Sequence, residues 1–183
     1  MKRIGFLLVL LIVIVSGYGQ SCYWQQRVEY KMDVELDVKT HRMKGIQEVK
    51  YYNNSPDTLN KIYYHLYFNA FQPGSMMDAR SRSISDPDSR IGSRIVRLKD
   101  DEIGYHKVDK LSINGSSAKY SIDGTLMTIE LKEPLAPNSS IDIEMKFNSQ
   151  VPKQIRRSGR NNMENVDYTM TQWYPKIAEY DRD

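Results

Sequence analysis

The side chains best suited to metal binding in this sequence are its three histidines, and their spacing does not form a site. His41, His65 and His106 are far apart, and none occurs in an H-E-x-x-H pattern. A zinc site on one local element needs closely spaced nitrogen or sulfur ligands. We therefore expect a surface or structural role for each histidine and no metal site, although ligands brought together from distant segments stay an open alternative.

No local pattern in the chain indicates catalysis. The sequence contains no G-x-S-x-G elbow, P-loop or G-x-G-x-x-G motif, which are signatures of hydrolases and nucleotide-binding enzymes. The single cysteine, Cys22, has no second thiol with which to form a disulfide or hold zinc. The residues alone therefore predict no catalytic group and no cofactor in this chain.

The first nineteen residues have the pattern of a secretory signal peptide. Lys2 and Arg3 form a basic start, residues 4–15 are apolar, and small residues follow near Gly19. The apolar run is too short for a comfortable membrane span. We predict a signal peptide over 1–19, a mature domain over 20–183, no membrane span after cleavage, and export to the periplasm or the extracellular space. The alternative is a buried apolar strand or helix at 4–15.

The charge of the chain gives no indication of a nucleic-acid partner. The formal net charge is +3, and removal of Lys2 and Arg3 with the signal peptide reduces it further. A nucleic-acid-binding domain needs a basic patch or stripe. The local basic run from Arg156 to Arg160 has no aromatic residues between its charges, which is typical of a solvated loop.

Alternation of apolar and polar residues predicts β-strands along most of the mature chain. Between Val28 and Val38 every second residue is apolar, which is the period of a strand with one buried face. Related patterns predict further strands over residues 45–52, 62–68, 111–113, 118–122, 127–131 and 141–147. No segment after the signal peptide has helical periodicity, and the stretches 72–92 and 152–165 are expected to be irregular loops.

Turn signals separate several of these strands. The Asn-Gly and Asp-Gly pairs at 114–115 and 123–124 are strong hairpin signals, and Pro134 and Pro137 bracket an expected loop. We interpret residues 107–148 as an antiparallel meander. Turns at about ten-residue spacing favour an all-β fold, either an antiparallel β-sandwich or a saddle-shaped open sheet, over alternating strands and helices.

The order of these pieces resembles the N-terminal β domain of the M1 zinc metallopeptidases, the aminopeptidase N-like family, and in particular its exported bacterial branch. The resemblance rests on four stretches that occur in the family's order: "YKMDVELDV", "MKGIQEVKYYNNSPDTLNKIYYHLYFNAF", "LSINGSSAKYSIDGTLMTIELKEPLAPNSSIDIEMKF" and "MTQWYPKIAEYD". The last stretch contains a Thr-Gln-aromatic-x-Pro cluster followed by an acidic residue. The resemblance covers nearly the whole mature chain.

The resemblance implies a non-catalytic domain that packs on a separate catalytic domain. In the family, zinc is held by H-E-x-x-H and a downstream glutamate, and these residues lie in that catalytic domain. We therefore expect that this chain is truncated before the catalytic domain, that zinc belongs only to the missing part, and that the chain alone does not hydrolyse peptides. The aromatic residues of the last stretch would pack on the missing domain.

One site residue follows from the resemblance. The family's Gln in the Thr-Gln cluster reaches into the substrate cleft, which implies substrate binding by Gln172. The position where many aminopeptidases have an amine-binding glutamate is Tyr174 here, so the recognition of the substrate amine is left open. Met163-Glu164-Asn165 looks like the tail of the family's G-x-M-E-N motif. It precedes the cluster and lacks the leading glycine, and we interpret it as loop sequence.

A second hypothesis requires no missing domain. The chain could be a complete exported β-sandwich that binds a carbohydrate or a protein partner through surface aromatics such as Tyr63 and Tyr67. These two residues would share one face of a strand whose other face carries Tyr64 and Leu66. The competing interpretation of the same pattern is that both faces of the strand are buried.

Overall fold

The computed structural model describes residues 23–84 and 91–181. The predicted signal peptide, 1–19, and Cys22 lie outside the described residues. Two antiparallel sheets and a separate two-stranded pair form the fold. The strands are β1 Arg27–Asp37, β2 Arg42–Asn53, β3 Leu59–His65, β4 Tyr105–Ile113, β5 Ser116–Ser117, β6 Tyr120–Asp123, β7 Leu126–Leu135, β8 Ser139–Gln150, β9 Gly159–Arg160, β10 Tyr168–Thr169 and β11 Lys176–Ile177. The prediction of an all-β, antiparallel fold is confirmed.

The first sheet has the order β1-β2-β8-β4-β5, and the second has the order β11-β3-β7-β6. Strands β9 and β10 form a separate two-stranded pair. Strand β8 lies between β2 and β4, so two strands that are distant in sequence are hydrogen-bonded along their whole length. Each sheet is open, with β1 and β11 as edge strands of the two layers.

The core lies between the two sheets. Its largest cluster combines inward-facing side chains of β2 and β8 with those of β3 and β7. Tyr64, Met127, Ile129 and Met145 have no exposed surface. Side chains two residues apart share one face of a strand, so the alternation in the sequence places these apolar groups in one contiguous core.

The alternation predicted for the first strand is present over the whole of β1, where odd-numbered residues are exposed and even-numbered residues are half-buried. On the solvent-facing side, charged residues of β1 and β2 pair across the sheet, as in the 3.2 Å contact between Lys31 Nζ and Glu48 Oε2. The outer face of the first sheet is therefore polar. Such exposed pairs contribute little to stability.

The predicted meander over 107–148 is wrong in its connectivity. The chain leaves the first sheet after β5, forms β6 and β7 in the second sheet, and returns to the first sheet as β8. Local alternation cannot distinguish a hairpin within one layer from a crossover between layers. The expected loop bracketed by prolines is also shorter, because Pro134 lies within β7.

Both predicted hairpin turns are present. Asn114 and Gly115 have φ values of 47° and 77°, as a two-residue turn with both centres in the left-handed region requires. The second turn begins one residue later than predicted, because Asp123 pairs with Leu126 and leaves Gly124 at its first position. The φ of Gly124 is 54°, which glycine adopts without steric cost.

The expectation that residues 72–92 contain no helix is wrong for helix α1, Met76–Ser83. Its only buried residue is Asp78, so it lacks the apolar stripe by which a helix is recognised in a sequence. The helix is stabilised at its start instead. The Ser75 hydroxyl accepts a hydrogen bond from the Asp78 backbone N–H over 3.1 Å, and Arg82 pairs with the Asp78 carboxylate.

Two short 3₁₀ helices cover Tyr67–Ala70 and Ile95–Arg97. No helix in the described part of the chain is long and apolar enough to cross a membrane.

Candidate functional site

Residues 168–181, the C-terminal segment, contain the only site residue predicted from the sequence. This segment is fixed to both sheets of the domain. The Gln47 side-chain Nε2 on β2 donates a hydrogen bond to the Pro175 carbonyl oxygen over 2.9 Å. The Ile177 backbone N–H donates to the Tyr30 hydroxyl on β1 over 3.0 Å. Strand β11 also pairs with β3, so the segment joins the two layers at their open side.

The aromatic residues of the segment pack within the domain itself. Trp173 contacts the cluster formed by Met43, Phe68 and Val151, and Tyr174 lies edge-on to Tyr30 with a ring separation of 5.5 Å. These aromatics therefore have packing partners among the described residues, and their expected contact with a further domain stays a prediction. The first sheet supplies part of the partner surface, because Met43 lies on β2 and Tyr30 lies on β1.

Ile177 shows how strongly this packing holds the segment. Its side chain is only 5% exposed and belongs to the main core cluster. Complete burial of such a side chain contributes roughly 2 kcal/mol. At the far end, the Trp24 and Tyr180 rings stack at 5.7 Å, and the Tyr180 hydroxyl bonds to the Asp57 carboxylate over 3.1 Å. The segment is thus held at two points on the C-terminal side of Gln172.

Gln172 lies at the exposed tip of the segment, between β10 and β11. Its backbone has φ of 51°, and its neighbour Thr171 is also exposed. For a residue with a Cβ, the left-handed region costs about 1 kcal/mol. The Gln172 amide makes no hydrogen bond with any residue among those described. The anchored C-terminal segment therefore presents the Gln172 side-chain amide, which has both donor and acceptor groups, to solvent.

On its N-terminal side, the tip is held by a hydrogen bond between two neutral side chains, one of which lies on β10. His41 Nδ1 and the Tyr168 hydroxyl are 2.6 Å apart. Burial, followed by the positive charge of Arg160, lowers the pKa of His41. Burial also raises the pKa of Tyr168. Both groups are therefore neutral at pH 7, and their contact positions β10 without carrying charge.

Two buried polar side chains near the segment were not identified from the sequence. Gln47 has no exposed surface, and its Oε1 has no partner among the described residues. The Tyr64 hydroxyl on β3 is also buried and unpartnered within that part of the chain. The sequence did contain a signal for Gln47, because it interrupts the inward-facing row that includes Gly45 and Val49.

The three histidines lie in three different environments. His41 contacts Tyr168, and His65 stacks on Tyr67 at 5.1 Å. His106 is buried, its ring lies parallel to Phe68 at 4.7 Å, and its Nδ1 is 2.6 Å from the Ser149 hydroxyl. In residues 23–84 and 91–181, no three His, Cys, Asp or Glu side chains come together as ligands for a metal ion.

The sequence that looks like a Met-Glu-Asn motif forms an exposed turn. Met163 is 95% exposed. The Asn162 side-chain oxygen accepts hydrogen bonds from the backbone N–H groups of Glu164 and Val166 at 3.0 and 2.7 Å. This is a local turn stabilised by an asparagine side chain. The structure therefore agrees with the interpretation of this stretch as loop sequence.

Comparison with known proteins gives a match only at the level of structure. No protein-family model matches the sequence, and no curated protein matches it. Solved structures do match. One is a two-domain M1 zinc metallopeptidase variant bound to L-arginine, with a TM-score of 0.51, 12% identity and coverage of 83% of this chain. Another is the M1 zinc metallopeptidase from Deinococcus radiodurans, with a TM-score of 0.50, 12% identity and coverage of 84%.

The chain spans 29% of the length of each of these two metallopeptidase chains. At such low identity the match concerns the fold and not the activity. It agrees with the resemblance that was drawn from the order of the strands and the Thr-Gln cluster. The chain has the fold of one part of the M1 zinc metallopeptidase structures.

Proposed function

We propose that this chain is the non-catalytic N-terminal domain of an exported M1-type zinc aminopeptidase. The domain would border the substrate cleft and act as a scaffold for a catalytic domain that this sequence does not contain. Peptide hydrolysis, and the zinc that supports it, would belong to the longer protein. The peptide substrate and the catalytic domain are the partners that this role requires.

The observation that carries this proposal is the fold. The match covers most of this chain but less than a third of each metallopeptidase chain, as is expected of one domain of a larger enzyme. The arrangement of the C-terminal segment supports the same role. The segment is held through Gln47 and Tyr30, and it directs Gln172 away from the domain.

Gln172 is the residue that we propose to contact the substrate. A primary amide can donate to a carbonyl oxygen and accept from an amine or amide N–H, so it can bind one end of a peptide. Its left-handed backbone favours glycine or asparagine on steric grounds. The presence of a glutamine at a strained, exposed tip is explained if its side chain has a function.

The nucleotide sequence that follows codon 183 tests the domain assignment. The proposal expects a continuation, in frame or frameshifted, that encodes H-E-x-x-H. A stop codon followed by an unrelated gene would contradict it and favour a complete binding module.

Substitution of Gln172 in the longer protein tests the site. We expect Gln172→Ala to raise KM for aminoacyl-peptide substrates by about tenfold, the effect of losing roughly 1.4 kcal/mol of binding. The matched control is Thr171→Ala at the neighbouring exposed position, which should leave KM within about twofold. Equal effects of the two substitutions would overturn the role of Gln172.

A further inference from the structure

A groove opens where the edges of the two sheets face each other. Residues of β1 and β2 line one wall, and β11 with the residues after it lines the other. Its volume is about 380 Å³, within the range of sites that bind small molecules. The groove lies beside the C-terminal segment but does not include Gln172, and it is not part of the function proposed above.

Four aromatic rings line the groove, and they come from both sheets. Tyr30 and Tyr51 belong to the first sheet, whereas His65 and Tyr67 lie at the end of β3 and just beyond it. The His65 and Tyr67 rings are stacked, with centroids 5.1 Å apart and an angle of 26° between their planes. Stacked rings form a flat, fixed apolar surface. The half-buried state of both residues leaves part of this surface open to a ligand.

The Tyr30, Tyr51 and His65 rings carry no charge at neutral pH. Burial raises the pKa of Tyr30 to about 12 and that of Tyr51 to about 12. Burial, together with the positive charge of Lys176, lowers the pKa of His65. The remaining charges on the lining are those of exposed Lys176 and Glu179, which have opposite signs. The groove as a whole is therefore neutral.

Charge and shape together limit the class of ligand. A neutral groove does not favour an anion or a cation. Flat apolar rings favour a ligand with a flat C–H face. The ammonium group of Lys176 and the carboxylate of Glu179 favour a ligand that carries both hydrogen-bond acceptors and donors. A pyranose ring has this combination, because its axial C–H groups form apolar faces while its equatorial hydroxyl groups donate and accept.

We propose that this groove is a saccharide-binding site. A sugar ring would lie against the Tyr67 and His65 pair, and its hydroxyl groups would bond to Lys176 and Glu179 at the rim. The Tyr51 side chain closes the inner wall. Saccharide binding here does not require the chain to be part of a peptidase, so its failure and the failure of the aminopeptidase role are separate results.

The structure also corrects the aromatic pair that was suggested from the sequence for carbohydrate binding. Tyr63 and Tyr67 do not share a strand face, because β3 ends at His65 and Tyr67 begins a 3₁₀ helix. Tyr63 is 39% exposed and does not line the groove. It is therefore a matched control, since it is an exposed tyrosine on the neighbouring strand β3 but outside the proposed site.

The experiment is a titration of the purified mature chain with neutral disaccharides, followed by NMR chemical shifts and calorimetry. The probes are cellobiose, maltose and N,N′-diacetylchitobiose, and the dipeptide Ala-Ala serves as a zwitterionic control. We expect saturable binding of at least one disaccharide in the millimolar range, with shifts confined to the groove. Tyr67→Ala should weaken that binding by at least about fivefold, while Tyr63→Ala should change it by less than about twofold.

A second variant tests the polar rim without removing a ring. Glu179→Gln keeps the shape of an exposed side chain, so folding should be unaffected, and we expect a severalfold loss of saccharide affinity. The proposal is overturned if no disaccharide gives a saturable shift, if Ala-Ala binds in the groove and the sugars do not, or if Tyr63→Ala and Tyr67→Ala weaken binding equally. Unchanged melting temperatures establish that each variant is folded.

Discussion

The Gln47 side chain donates a hydrogen bond to the Pro175 carbonyl oxygen across 128 residues of sequence. The bond is buried, and it connects a central strand of the first sheet to the C-terminal segment that carries Gln172. Strand β11 then joins the second sheet. The geometry of the exposed tip therefore depends on a polar group in the core.

Replacement of this anchor should destabilise the domain. Gln47→Leu keeps the approximate volume but leaves the Pro175 carbonyl without its donor, and a buried unsatisfied carbonyl costs about 1–3 kcal/mol. The substitution also removes the buried Oε1 of Gln47, which has no partner among the described residues, so the net loss should be at the lower end, about 1 kcal/mol. We expect a loss of that size in the free energy of unfolding measured with urea. The control is Lys44→Gln, an exposed position on the same strand, which should change stability by less than about 0.5 kcal/mol. Equal stability of the Gln47→Leu variant and the parent chain would contradict the anchoring role.

Gly45 is the second feature of β2 that fixes the core. It pairs directly with Phe147 on β8, and a Cβ at this position would overlap the buried ring of Phe147. Gly45→Ala should therefore destabilise the domain by about 1–3 kcal/mol through overpacking. The double variant Gly45→Ala, Phe147→Leu should lose less than the sum of the two single effects, because the smaller side chain removes the clash. If the losses in the free energy of unfolding of the two single variants add up to that of the double variant, the clash between the two positions is contradicted.

Stability should fall in acid because of His106. Burial lowers the pKa of its imidazole from 6.5 to about 3, so the unfolded chain binds this proton more readily than the folded chain does. The stabilising contribution is complete above about pH 6.5 and is lost as the pH falls toward 3, by on the order of 4 kcal/mol.

Urea unfolding between pH 7 and pH 4 measures this dependence. The His106→Gln variant should show a shallower loss of stability as the pH falls. The free energy of unfolding of this variant should still decrease somewhat with falling pH, because the pKa values of His41 and His65 are also lowered. An unchanged slope in the variant would exclude His106 as its main source.

Much of the fold could be predicted from local patterns, and the parts that could not have a physical reason. The alternation in β1 and the Asn114-Gly115 turn are properties of neighbouring residues, so the sequence contains them directly. The insertion of β8 between β2 and β4 depends on pairing between distant segments, which no local period encodes. Helix α1 was missed because a capping serine and an ion pair stabilise it without an apolar face.

The proposed role of Gln172 rests on the resemblance and stays a prediction. Gln172 lies in a Thr-Gln cluster that the family resemblance identifies, whereas nothing in the local composition distinguishes it from other polar loop residues. The segment that carries it is supported by Gln47, Tyr30 and His41, which are all distant from it in the sequence. The one local signal for this support in the sequence is Gln47, a polar residue in the inward-facing row of β2 that includes Gly45 and Val49.

The strained tip allows the structural and functional roles of Gln172 to be separated. Gln172→Gly relieves the left-handed backbone and should leave the free energy of unfolding unchanged or raise it by about 0.5 kcal/mol. In the longer protein it should raise KM for peptides, as loss of the amide predicts. Asn165→Gly is the matched control, because Asn165 also has a positive φ, of 62°, but lies in a different loop. If both variants change KM equally, the effect comes from loop flexibility and not from the loss of the Gln172 amide.

The most direct test of the central claim is the hydrolysis of aminoacyl reporter substrates by a purified protein of residues 20–183 in the presence of zinc, with and without a chelator. If the chain is the non-catalytic domain of a larger peptidase, it has no turnover above background under either condition, and turnover appears only with the protein that includes the H-E-x-x-H region. Chelator-sensitive turnover by residues 20–183 alone would contradict this account.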